Sequence, residues 1–116
     1  MEKNKNKIYL GNAFSIQMIS GLLDKGCVIT PEISEITTEA ISHVLRNNDF
    51  TSCIGHTDTA NIMSSILGLK VESQRINVSL EQGDIIYVCQ VVGGRLPEGC
   101  TELPEGVTLK WYSVEI

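Results

Sequence analysis

No apolar run in this 116-residue chain approaches the roughly 18 residues that a membrane-crossing helix needs, so no span and no membrane partner are expected. Basic residues are few: 9 Lys and Arg stand against 14 Asp and Glu, a formal net charge of −5. That balance argues against sequence-independent binding to duplex nucleic acid, whose affinity comes mainly from cations neutralising phosphates, though not against a small anion in a local pocket. None of Cys27, Cys53, Cys89 and Cys100 forms a C-x-x-C pair, which weakens zinc and thioredoxin-like readings; reduced thiols in a cytoplasmic protein are expected instead. Neither G-x-G-x-x-G nor G-x-x-x-x-G-K-[ST] occurs, so nucleotide binding through those phosphate loops has no support. The polar start, Met1 to Lys7, is not backed by an apolar segment of signal-peptide type; it reads as a frayed tail.

What is present suits one small domain over residues 1–116, with 42% hydrophobic and 20% charged residues, both ordinary for a globular chain. Ile8 to Leu10 reads as a strand ending at Gly11 and Asn12. Between Ser15 and Pro31 helical spacing is broken by Gly21 and Gly26, which predicts a loop with one or two helical turns. Ile36, Ala40, Ile41, Val44 and Leu45 form one stripe of a helix over Ser34 to Asn47, with Ser34 and Thr37 as possible N-caps. A second strand is predicted over Phe50 to Ile54, then a helix beginning after His56 and ending at Gly68. From Arg75 the period becomes two, with Ile76, Val78 and Leu80 alternating with polar residues. A turn at Gln82-Gly83-Asp84 then predicts a hairpin into "IIYVCQVV". A Gly-Pro-rich loop holding two Leu-Pro-Glu-Gly copies follows, and "VTLKWYSVEI" closes the chain as an alternating strand. The expected fold is α/β, a mixed sheet of about five strands flanked by helices.

Two short stretches carry chemistry. His56 follows a strand that ends at Gly55 and opens a helix, the place where open α/β sheets bind ligands. First-turn N–H groups near Thr57, Asp58 and Thr59 and the helix dipole favour an anion there, and an imidazole exchanges protons near neutral pH. Taken by itself His56 could equally be a capping or packed histidine. "GGRLPEG" sets Arg95, a residue shaped to fork onto phosphate oxygens, and Glu98 on a loop after an apolar, central-looking strand; alone it could be a solvated turn.

Taken in order, "YLGNAFS", "FTSCIGHTDTANIMSSILG", "RINVSLEQGD" and "GRLPEG" resemble the viral ring nuclease family, the type III anti-CRISPR proteins of archaeal viruses and bacteriophages. The resemblance runs over nearly the whole chain from Ile8. It implies a homodimer that binds cyclic tetra-adenylate, the second messenger of type III CRISPR defence, and cuts it without metal or cofactor. On this resemblance His56 is the catalytic histidine, Arg95 the phosphate-contacting arginine and Glu98 its acidic partner. Ligand contacts are expected at Asn12, Ala13, Ser15, Gly55, Thr57 and Arg95. Some members carry serine directly after the asparagine where this chain has Ala13; the nearby hydroxyl is that of Ser15. Two other readings compete: a sponge that holds the cyclic nucleotide uncut, and a structural or DNA-binding regulator. The acidic charge and the lack of a helix-turn-helix pattern count against the regulator.

Overall fold

Five strands form one mixed sheet in the order β2-β5-β4-β1-β3, where β1 is Ile8–Gly11, β2 Glu32–Ile36, β3 Thr51–Ser52, β4 Ile85–Val92 and β5 Thr108–Glu115. This computed structural model describes residues 6–116, so the first five residues of the expected tail lie outside the described residues. Lys7 is joined to the fold: its N–H donates to Asp84 Oδ1 at 2.9 Å, and its carbonyl accepts from the Ile85 N–H at 3.0 Å. β1 runs parallel to both β3 and β4, whereas β5 is antiparallel to β4 and β2.

Strand alternation divides the core between the two faces of the sheet. Leu10, Tyr87, Cys89 and Trp111 point to the face covered by α2 (Thr38–Arg46) and α3 (Thr57–Leu67), where they meet Ile41, Leu45, Ala60, Met63 and Leu67. Tyr9, Ile86 and Val114 point the other way, under Ile19 and Leu80. Ile19 belongs to a 3-10 turn, Ile16–Ile19, that leads into the short helix α1, Ser20–Asp24, within the segment expected to be a loop with helical turns. α2 starts at the second of its two candidate caps, since Thr37 Oγ1 accepts from the Ala40 N–H at 3.1 Å. α3 ends at Gly68, which holds the left-handed φ of 72° that suits glycine.

Two expected elements differ. Ser34 lies in β2 and not at a helix start, because Ile33 and Ile36 pair with Val114 and Trp111 of β5, a contact that local spacing cannot report. Ile76 to Leu80 forms no strand, and the expected hairpin is absent: both edges of β4 are already taken by β1 and β5. The alternation there marks packing, Val78 and Leu80 lying on the second face while the Leu80 N–H donates to the Met18 carbonyl. The turn itself is real, closed by the Asp84 N–H on the Glu81 carbonyl at 3.0 Å.

Candidate functional site

Three neighbouring parallel strands, β3, β1 and β4, end at one edge of the sheet. β1 lies between the other two, and the chain passes from β3 to β4 through α3 without pairing on the way beside β1. Such a reversal of strand order leaves a crevice at the carboxyl ends of the strands. Just beyond them lie Gly55 and His56 after β3, Asn12 and Ala13 after β1, and Gly93 to Glu98 after β4.

His56 occupies the N-cap position of α3 with extended backbone, φ −112° and ψ 123°, and its carbonyl accepts the first helical bond from the Ala60 N–H at 3.0 Å. The ring is exposed and makes no capping hydrogen bond, so capping, the plainest structural use for it, is not its role. Thr57 Oγ1 donates to Ser73 Oγ at 3.4 Å. Ser73 is bridged to Ile54, and the Gln74 N–H donates to the Ile54 carbonyl at 2.8 Å, which draws Gln74 and Arg75 alongside the end of β3.

Arg75 also stands at the candidate site, and no local signal in the sequence points to it. Its side chain lies over Gly55, where an added Cβ would come within 3.0 Å of Arg75 Cγ and 3.6 Å of Nε, so glycine makes room for an arginine stem beside His56. The alternation of residues 75–80 carries no sign of this, since it is the Gln74–Ile54 bond that brings the segment to this edge.

The loop after β4 begins with Gly93 and Gly94 at positive φ, 95° and 159°. Within it both Leu-Pro-Glu-Gly copies build the same turn: the Cys100 N–H donates to the Pro97 carbonyl and the Val107 N–H to the Pro104 carbonyl. The third residues, Gly99 and Gly106, have φ of 81° and 83°, and among the described residues no non-glycine has positive φ, which makes both turns type II. Glu98 therefore sits at the tip of the first turn. The Gly99 N–H, part of the turn's central peptide, donates to Asp58 Oδ2 at 2.7 Å, joining this loop to the first turn of α3. Arg95 and Glu98 are exposed.

Asn12 and Ala13 line an open groove of about 340 Å³ on the second face of the sheet, with Phe14, Ile33, Val88, Gln90, Tyr112 and Val114. Ser15 is the exposed N-cap of the 3-10 turn and its side chain makes no capping bond. A larger depression, about 760 Å³, lies by the opposite ends of β1 and β3, lined by residues such as Lys7, Tyr9, Asp49 and Thr51; it contains no histidine or arginine.

Among the described residues, no three His, Cys, Asp or Glu side chains gather as a metal-sized group. All four cysteines are free, and burial pushes the Cys53 thiol, two residues before Gly55, above its ordinary value, which suppresses the nucleophilic thiolate. No helix among the described residues is long and apolar enough to cross a membrane.

Residues 8–109 match the STIV B116-like family. The chain belongs to that family. The fold is similar to that of B116 of Sulfolobus turreted icosahedral virus, with a TM-score of 0.76 over 96% of this chain and 100% of that one, at 24% identity. A curated relative, uncharacterized protein 26 of Sulfolobus islandicus filamentous virus (isolate Iceland/Hveragerdi), is 32% identical over 65 residues. That match takes in 56% of this chain and 54% of the relative, so the chain spans about half the length of the curated relative it matches. Both similar proteins are viral, which places the chain in a viral protein family.

Proposed function

We propose that this B116-like protein is a metal-independent ring nuclease that binds and cleaves cyclic tetra-adenylate, working as a homodimer and switching off the signal of type III CRISPR defence. The observation that carries the reading is the meeting of two motifs at one sheet edge: α3, which His56 opens, is hydrogen-bonded through Asp58 to the turn that bears Glu98. An exposed imidazole beside helix N–H groups, with Arg75 at Gly55 and Arg95 on the adjoining loop, suits a phosphodiester.

In the reaction a ribose 2′-oxygen of the ligand forms a bond to the adjacent phosphorus while the bond from phosphorus to the 5′-oxygen breaks. His56 gives its proton to the departing 5′-oxygen, and the proton of the 2′-hydroxyl passes to solvent, with Glu98 orienting that hydroxyl. The product carries a 2′,3′-cyclic phosphate. Arg95 stabilises charge on the non-bridging oxygens. The nucleophile belongs to the ligand, so no protein serine or thiolate is needed. Isologous pairing of two copies presents two His56 side chains to a ring of repeating units, and Asn12, Ser15 and Thr57 supply polar contacts around it.

Incubation with labelled cyclic tri-, tetra- and hexa-adenylate in excess chelator, with product chromatography and sedimentation at micromolar concentration in parallel, tests this. Linear products from the tetra-adenylate and a dimeric boundary are expected. Tight retention of uncut ring would make the protein a sponge, restoration of cutting by a divalent ion would end the metal-free mechanism, and a monomer with and without ligand would end the dimer.

A further inference from the structure

We propose that Asp58 is a positioning residue: its carboxylate holds the Glu98–Gly99 peptide and thereby fixes the Arg95–Glu98 loop relative to His56. This rests on the ring nuclease reading and adds to it a residue that touches neither the phosphate nor the leaving group.

The loop from Gly93 to Gly106 is long, begins with two glycines and bears its chemical residues exposed, so by itself it has many arrangements. Its turn at Pro97 to Cys100 fixes the local shape of the Glu98 tip but not where that tip lies against the rest of the protein. The hydrogen bond that settles this runs from the Gly99 N–H to Asp58 Oδ2, at 2.7 Å a short, charge-assisted contact across 41 positions of sequence. A type II turn leaves that N–H free of turn bonding, because the closing bond uses the Cys100 N–H. The second turn, identical in kind at Pro104 to Val107, has no such partner among the described residues, so the tie is particular to the copy that bears Glu98 and follows Arg95. On the other side of the contact Asp58 is two residues from His56, in a helix whose next residues, Ala60, Ile62 and Met63, are buried. The flexible partner is thus held by the rigid one.

Placing an acid and a charge-stabilising arginine on separate elements makes the rate sensitive to their spacing, where misplacement by about 1 Å can cost about a hundredfold. Asp58→Ala removes the acceptor; Asp58→Asn removes the charge but keeps an oxygen that accepts the Gly99 N–H. Two readouts are taken on each folded variant: hydrogen exchange at the Gly99 amide, and kcat and KM for cyclic tetra-adenylate. In Asp58→Ala the Gly99 amide exchanges faster and kcat falls by about 10- to 100-fold with KM changed far less; Asp58→Asn recovers most of both. Unchanged Gly99 exchange in Asp58→Ala overturns the tie, and faster exchange with wild-type kcat overturns the positioning role. A wild-type protein that cuts no cyclic adenylate ends the ring nuclease reading and the catalytic half of this one, whereas the exchange measurement still decides whether Asp58 holds the turn.

Discussion

Cys89 lies opposite Trp111 in the β4–β5 register, and burial pushes its thiol up from the ordinary 9.0 to about 12. A group that keeps its proton in the native state and releases it when unfolded stabilises the fold at pH values below the unfolded value, and that stability drains away as pH rises through the folded value. For Cys89 the window runs from about pH 9 to about pH 12. Tyr9 and Tyr87, whose phenols are also raised by burial, act in the same direction. Thermal melts at pH 8 and pH 11 should therefore show a smaller alkaline loss of Tm in Cys89→Ala than in wild type, each relative to its own value at pH 8. Equal losses would contradict this. Among the candidate-site residues, those at a readable junction stand out in the sequence: His56 between a strand and a helix, Arg95 and Glu98 in a glycine-rich loop. Arg75 and Asp58 do not, because each matters through a contact with a distant segment, Gly55 and Gly99 respectively.

At the scale of elements, Asp84 shows how the sheet is closed at the end away from the site. It is 3% exposed, its two carboxylate oxygens accept from the Lys7 and Glu81 N–H groups at 2.9 Å each, and its carbonyl accepts from the Ile116 N–H. One side chain thus ties the start of β1 to the turn before β4, with its backbone joined to the end of β5. Asp84→Ala leaves two N–H groups without their acceptor and should cost about 2–5 kcal/mol, read as a lower urea midpoint at constant m-value; an unmoved midpoint would show that the bonds are replaced by water at no cost. Helices α2 and α3 and strands β1, β4 and β5 were readable because period and punctuation agree within each. β2 was not, since its residues are almost all exposed and its two isoleucines, three apart, run into the stripe of the following helix. What makes it a strand is pairing with β5, some 80 positions away. The same physics misled the reading of Ile76 to Leu80, where alternation reflects packing of Val78 and Leu80 and no ladder.

For the whole molecule, strand order matters more than any single motif. Placing β1 between β3 and β4, all parallel, points the carboxyl ends of three strands the same way, and the Gly99–Asp58 hydrogen bond joins the loop after β4 to the helix after β3, about 40 residues apart in the chain. That edge is where a ligand is expected in such sheets. The central claim is that His56 acts there as a general acid, and single-turnover cleavage of cyclic tetra-adenylate by folded His56→Ala, measured beside its affinity for the same ligand, tests it most directly. The account predicts a variant that binds as wild type does, since many groups share the binding of a multi-phosphate ring, and cuts about 10²- to 10⁴-fold more slowly. Normal binding with cleavage at the wild-type rate would contradict it.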